Sequence, residues 1–136
     1  VFFFSTTSPH ARRAAPEVLA IADEFAGAGL TTLAVASGGN PKRGIRTFID
    51  DLKWNDNIKV GWDEHRQFGE LYSDGYVPKI YLVNPDGSYK LYGSIEREKD
   101  QIKADIKALL GGKPVEWKLE APAQADTTKP AAPVTK

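Results

Sequence analysis

The chain contains no cysteine among its 136 residues. This absence excludes disulfide bonds, a thiolate nucleophile and any zinc or iron–sulfur site built on cysteine. Histidine is also scarce, because His10 and His65 are the only two. Two histidines are too few for a histidine-rich metal site unless several carboxylates join them. The sequence therefore predicts no resident metal.

An excess of positive charge is also absent, since 18 basic residues balance 18 acidic ones. Nucleic acid and anionic membrane surfaces are therefore not expected partners. No apolar run approaches the roughly 20 residues of a membrane span. Methionine is missing and the first residue is Val1, so we expect a mature piece from which a signal or membrane anchor was removed.

What remains is a chain that is 41% hydrophobic and 26% charged, the composition of one globular domain. Apolar periodicity alternates between strand-like and helix-like segments, and an Asn-Pro-Asp-Gly turn at 84–87 joins the last two strands as a hairpin. Pro16 lies inside the first helical pattern and is expected to kink or divide it. The pattern predicts strands at 1–4, 30–36, 58–60, 79–83 and 88–92, and helices at 9–28, 41–52, 64–72 and 96–110.

This element order predicts an α/β fold with a mixed sheet and helices on both faces, because parallel crossovers must be covered. Residues 1–119 form the predicted domain, with Val115, Trp117 and Leu119 docking the chain end on the body. Residues 120–136 are rich in Ala, Pro, Thr and Lys and predict a flexible tail. In the last helix, lysines spaced by four residues beside acidic residues, Asp105 among them, are typical of a solvated face.

Residues near the start of the first helix have an ordinary structural interpretation. Ser8 is a favoured N-cap, and Pro9 fits the first helical position because its missing N–H costs nothing there. His10 fits an exposed residue of the first turn. A Ser8–His10 hydrolase is improbable, because residues two apart on a helix do not face each other and no third orienting group is evident.

The order of residues 3–17 nevertheless resembles the active-site stretch of the TlpA/ResA-type thioredoxin-like thiol–disulfide oxidoreductases. Ser8 and Ala11 fall where that family has its two cysteines, two arginines follow, and Pro16 matches the family's kink. Residues 75–78, Gly-Tyr-Val-Pro, resemble its cis-proline loop, and residues 84–87 resemble its hairpin turn. Pro78 as an ordinary trans proline at a strand start remains the alternative. The resemblance spans residues 1–110.

The resemblance implies a thioredoxin-like fold and a parent activity of thiol–disulfide exchange on protein cysteines. Position 8 would be the attacking cysteine and position 11 the resolving one, and Pro9 and His10 would lie between them. A thiol at a helix N-terminus has its pKa lowered by the positive end of the helix dipole, and His10 would tune it further.

Substrate contacts are implied for the proline loop, at Tyr76, Val77 and Pro78, and for Thr7, which stands where the family has tryptophan. The backbone of Val77 would pair with an extended peptide by strand addition. The family also implies a periplasmic or otherwise extracytoplasmic location with an anchor before residue 1, additional N-terminal strands and a monomeric state. It implies no organic cofactor, cysteine-containing protein substrates and a membrane electron-transfer partner.

The departures decide what this chain can do. Ser8 and Ala11 cannot shuttle electrons, and Ala14 stands where many family members have a glutamate thought to handle protons. With cysteines at 8 and 11 the motif would read Cys-Pro-His-Cys, as in DsbA-type enzymes. Either both cysteines of such an enzyme were replaced by isosteres, or the chain is a naturally non-catalytic peptide-binding or chaperone-like module. Copper delivery by a Sco-like relative is disfavoured because the thiolate ligands are missing.

Overall fold

The structure is a computed structural model, and it describes residues 1–72 and 77–112. The predicted tail and the docking residues Val115, Trp117 and Leu119 lie outside this range, as does Tyr76. The strands are β1 (Phe2–Phe4), β2 (Thr32–Ala36), β3 (Ile58–Trp62), β4 (Lys79–Val83) and β5 (Tyr89–Tyr92), and the helices are α1 (Pro9–Phe25), α2 (Lys42–Asp51), α3 (Gln67–Tyr72) and α4 (Ile95–Leu110).

The five strands form one mixed sheet in the order β3-β2-β1-β4-β5. β1, β2 and β3 run parallel, whereas β4 pairs antiparallel with both β1 and β5. Phe3 is aligned with Lys79 across the β1–β4 pair. The start of β4 therefore lies at the same edge of the sheet as the ends of the parallel strands.

Helices cover both faces of the sheet, as the fold prediction requires. Phe2 and Phe4 point to one face, where α1, α2 and α4 supply the apolar residues of the larger core. Phe3 points to the other face and packs with Phe68 of α3, Tyr81 and Tyr89. The alternation within β1 explains how three consecutive phenylalanines are all buried.

Helix α1 has clear boundaries at both ends. Ser8 is its N-cap and Pro9 its first residue, as the sequence predicts. The helix is not divided at Pro16 but continues to Phe25, and a 3-10 turn over Ala26–Ala28 follows. That turn ends at Gly29, whose φ of 113° favours glycine.

Three predicted element boundaries are corrected by the structure. Helix α3 begins at Gln67 instead of Glu64, because the Asp63 carboxylate accepts hydrogen bonds from the backbone N–H groups of Phe68 and Gly69. Strand β3 continues beyond the predicted end to Trp62, because residues 60–62 pair in parallel with residues 34–36 of β2. Helix α1 is shorter than predicted because the 3-10 turn replaces its last residues.

Asp105 is a further correction, because it is 7% exposed and does not lie on a solvated face. Its carboxylate accepts hydrogen bonds from the Tyr92 hydroxyl at 2.6 Å, Lys90 Nζ at 2.9 Å and Gln101 Nε2 at 2.8 Å. Burial by itself raises the pKa of Asp105, but these three donors outweigh it and hold the pKa below its ordinary value. The cluster ties α4 to β5.

We expect Asp105→Asn to lower the free energy of unfolding at pH 7 by about 1–3 kcal/mol, because a charged acceptor of three donors is lost. The folded-state pKa lies below the unfolded value, so the stabilisation is present above about pH 4 and is lost as pH falls through the folded pKa. Urea unfolding of both proteins between pH 7 and pH 3 should therefore give a difference that narrows in acid. A difference independent of pH would contradict this assignment, and Asp100→Asn on the exposed side of α4 is the control.

Candidate functional site

The candidate site lies at the edge of the sheet where the parallel strands end. β1 leads into residues 5–8 and helix α1, and β2 leads into residues 37–41 and helix α2. Because β4 is antiparallel to β1, Val77 and Pro78 enter the sheet at this same edge. The topology thus brings together the two segments that the sequence analysis singled out.

Positions 8 and 11 have different environments. The Ser8 Oγ atom accepts a hydrogen bond from the backbone N–H of Ala11 at 3.2 Å, and the Ser8 side chain is half-buried. Ala11 is fully buried, with 0% exposure, against the core. An atom at the Ser8 Oγ position therefore lies at the positive end of a 17-residue helix and within reach of an N–H donor.

The loop that carries Ser8 is fixed by Asn40, a residue that the sequence analysis did not identify. The Asn40 Oδ1 atom accepts hydrogen bonds from the backbone N–H of Thr6 at 2.7 Å and from the Thr6 hydroxyl. Its Nδ2 group donates to the carbonyl and hydroxyl oxygens of Ser37. Asn40 and Thr6 are 4% and 7% exposed. This buried amide therefore joins the two loops of the sheet edge.

We expect Asn40→Ala to lower the free energy of unfolding by about 1–3 kcal/mol, because the buried Thr6 and the half-buried Ser37 lose their hydrogen-bond partner. Urea unfolding followed by far-UV circular dichroism measures the change. Asn57→Ala is the matched control, since its hydrogen bond to Asp23 is exposed and its loss should cost no more than about 0.5 kcal/mol. Equal effects of the two substitutions would contradict the proposed importance of the buried amide.

The other predicted residues of the turn are solvent-exposed. Thr7, Pro9 and His10 are exposed, and the Thr7 hydroxyl lies 3.0 Å from that of Ser5. The Nδ1 atom of His10 lies 2.5 Å from Nη2 of Arg13, so the arginine is the donor. The imidazole of His10 therefore lies next to the cationic guanidinium group of Arg13.

A groove of about 820 Å³ lies beside this turn. Val77 and Pro78 line it, and the peptide bond between them is cis. His10 and Ala14 line it from α1, whereas Thr7, Ser8 and Pro9 are not part of its wall as far as the described residues define it. The first turn of α1 and the proline loop therefore share one concave surface.

The far wall of the groove is formed by the end of β5 and the start of α4. The Glu98 carboxylate accepts hydrogen bonds from the backbone N–H groups of Gly93 at 2.6 Å and Ser94 at 2.8 Å, which fixes the turn between these elements. The Tyr92 side chain also lines the groove, and its hydroxyl is anchored on Asp105. Hydrogen bonds therefore hold the far wall of the groove in place.

The described parts of the chain contain no group of three or more histidine and acidic side chains arranged to hold a metal. Within the same residues, no helix has the length and apolarity required to cross a bilayer. The chain also lacks thiols, and the Ser8 hydroxyl serves as an acceptor for a backbone N–H. Without thiols, the chain has no dithiol–disulfide couple at positions 8 and 11.

No protein-family model and no curated protein matches the chain. Fourteen solved chains do match in structure. A Neisseria meningitidis protein assigned as a thioredoxin superposes with a TM-score of 0.66 at 20% identity, covering 77% of this chain and 70% of that one. A secreted Mycobacterium tuberculosis disulfide oxidoreductase homologous to Escherichia coli DsbE gives a TM-score of 0.66 at 15% identity, with 79% and 78% covered.

A protein from Chlorobium tepidum, assigned as the thiol:disulfide interchange protein DsbE, gives a TM-score of 0.69 at 19% identity and covers 81% of this chain and 77% of that one. At such identities the likeness concerns the fold. These neighbours are assigned as a thioredoxin and as disulfide oxidoreductases, and their folds superpose on the mixed five-stranded sheet and helices described above. The chain has the thioredoxin-like fold.

Proposed function

We propose that this chain is a redox-inactive form of a TlpA/ResA-type thiol–disulfide oxidoreductase that acts on cysteine-containing protein substrates. The observation that carries the proposal is the pair of environments at positions 8 and 11. The first is half-buried at a helix N-cap and the second is fully buried three residues later. A partly exposed helix N-terminus is a place where a cysteine becomes reactive, and the buried position one turn later would hold the resolving cysteine.

The roles proposed for Val77, Pro78 and His10 follow from their places in the groove, and the roles of the remaining residues follow from the family resemblance. Val77, with Pro78 behind it, would offer its backbone to an extended peptide, and Tyr76 and Thr7 would border the same peptide. His10 and Pro9 would lie between the two sulfur positions. His10 lines the groove with Val77 and Pro78, so a substrate held there would pass within one helical turn of position 8.

The reaction proposed for the cysteine-containing parent conserves atoms and electrons. A thiolate at position 8 attacks a substrate disulfide and forms a mixed disulfide, and one substrate sulfur leaves as a thiolate. The thiolate at position 11 then attacks the sulfur at position 8, which releases the second substrate thiolate and leaves a disulfide between 8 and 11. Two electrons pass to the substrate, and an external dithiol partner restores the reduced pair.

The test is to introduce Ser8→Cys together with Ala11→Cys and to measure thiol–disulfide exchange with a disulfide-containing peptide. Exchange by the double variant supports the proposal. If the variant folds and forms the 8–11 disulfide but exchanges with no peptide, the proposed parent activity is wrong. Circular dichroism verifies folding, and Ser8→Cys alone provides a second readout, because a single thiol can form the mixed disulfide without resolving it.

A natural binding or chaperone-like module is the second candidate. The groove favours it because the groove is present although the chain has no thiols. Such a module would bind unfolded peptides with the chain as it stands. It would also gain no exchange activity from the two cysteines, which separates the candidates.

We also propose an extracytoplasmic, periplasmic location with a membrane anchor and a membrane electron-transfer partner for the parent enzyme. One structural neighbour is a secreted disulfide oxidoreductase, and the protein disulfides that would be the substrates form and persist in oxidising compartments. We propose that the domain is a monomer. Export of a reporter fused to the native gene product would test the location.

A further inference from the structure

The groove beside position 8 is unevenly charged. Among the residues that the structure describes, three cationic side chains line it, those of Arg13, Lys79 and Arg97, together with one carboxylate, that of Glu96. Arg13 and Arg97 are solvent-exposed, so their charges can meet a ligand without a large desolvation cost. The nearby carboxylate of Glu98 is already hydrogen-bonded to the backbone of Gly93 and Ser94.

The dipole of helix α1 adds to this positive potential. His10, in the first turn of the 17-residue helix α1, and Ile95, the first residue of the 16-residue helix α4, both line the groove. The N-terminus of a helix has a partial positive charge that falls off within about one turn. The N-terminus of α1 therefore adds to the potential of the cations, whereas Glu96 and Glu98 in the first turn of α4 offset the partial charge of that helix.

The floor and edge of the groove suit an extended peptide. Val77, Ile80 and Leu91 provide apolar lining, and β4 begins only at Lys79, so Val77 lies beyond the sheet's own ladder. Pro78 has no N–H to donate, which leaves the backbone of Val77 as the recognition element of that loop. Apolar lining with a cationic rim matches an extended segment that carries acidic side chains.

We propose that the groove selects extended peptides with an Asp or Glu residue close to the position held against Val77. This inference rests on the proposed function, since it specifies the substrate class of the same site. Arg13 lies one helical turn after Pro9 and His10, and Arg97 lies on the opposite wall. Their guanidinium groups bind the acidic side chain from two sides. Lys79 contributes to the potential from within the wall.

The test uses the chain as it exists and three fluorescein-labelled ten-residue peptides. They share one sequence with a central serine, flanked by aspartate, glutamine or lysine, and binding is followed by fluorescence anisotropy at 50 and 300 mM salt. We expect the aspartate peptide to bind about threefold to tenfold more tightly than the glutamine peptide, with the lysine peptide weakest. Salt should reduce the preference, because exposed charges are screened.

Variants assign the preference to the groove. Arg13→Gln with Arg97→Gln should remove most of the preference for aspartate, measured as the ratio of the dissociation constants of the glutamine and aspartate peptides. Arg46→Gln is the matched control, because Arg46 is an exposed arginine of α2 that faces Asp50 at 3.5 Å. If Arg46→Gln reduces the aspartate preference as much as the double variant does, the inference is overturned. It is also overturned if 10 mM inorganic phosphate abolishes the preference, because that result would indicate a simple anion site.

The outcomes also separate this inference from the proposed function. Exchange activity in the variant with cysteines at positions 8 and 11, combined with no charge preference among the peptides, overturns the acidic-substrate inference alone. A clear aspartate preference without exchange activity overturns the oxidoreductase assignment and supports acidic-peptide binding by a non-catalytic module.

Discussion

The variant Ser8→Cys/Ala11→Cys is expected to catalyse thiol–disulfide exchange, whereas the unmodified chain, which has no thiol, gives none. The sulfur at position 8 would replace an oxygen that already accepts the Ala11 N–H at the N-terminus of α1. Thiols in such places have pKa values of about 3.5–7.5, compared with about 8.5 for a free cysteine. The absorbance of the thiolate at 240 nm, followed against pH in Ser8→Cys, measures this pKa directly.

A second pair of cysteines separates the effect of the helix from that of the groove. Pro41→Cys with Gly44→Cys places thiols at the N-cap and third position of α2, with the same spacing. As the described residues define the groove, neither Pro41 nor Gly44 lines it, so these thiols would not lie beside Val77 and Pro78. We expect exchange at positions 8 and 11 to be at least about tenfold faster, since substrate positioning contributes strongly to rate. Equal rates would show that the groove contributes nothing.

The sequence predicted the fold well because its dominant signals are local. Short apolar runs, the Asn-Pro-Asp-Gly turn and the N-cap at Ser8 each depend on neighbouring residues, and each is found where it was expected. The burial of Phe2, Phe3 and Phe4 follows from one strand with helices on both sides. Element ends were less predictable, because the Asp63 carboxylate that starts α3 acts across a turn.

The site was only partly predictable, for the same physical reason. Ser8, Ala11, Val77 and Pro78 could be named as candidates because the motif around each is contiguous. Asn40 was missed because its importance comes from contacts with Thr6, 34 residues away in sequence. Asp105 was misplaced on a solvated face because its partners Tyr92 and Lys90 lie on a strand 13 and 15 residues earlier. A polar residue in a loop after a buried strand was the one available signal for Asn40.

Phe4→Ala is expected to be the most destabilising of the substitutions considered. Phe4 is 0% exposed, and its ring lies 4.8 Å from that of Phe48, 5.6 Å from Trp54 and 5.4 Å from Phe2, measured between centroids. It therefore joins β1 to α2 through an aromatic cluster. Truncating a buried phenylalanine costs about 3–5 kcal/mol, a large part of the roughly 5–15 kcal/mol that holds a domain folded.

Urea unfolding monitored by far-UV circular dichroism measures this loss, and Val83→Ala supplies the comparison from the same sheet. Val83 is 42% exposed on β4, so its truncation should cost less than about 1 kcal/mol. Phe4→Leu should fall between the two, because it keeps apolar volume but loses the ring contacts. Because Phe4 directly precedes the loop that carries Ser8, the same variant should also impair exchange when cysteines occupy positions 8 and 11. A loss below about 1 kcal/mol for Phe4→Ala would mean that the aromatic cluster does not hold β1 and α2 together.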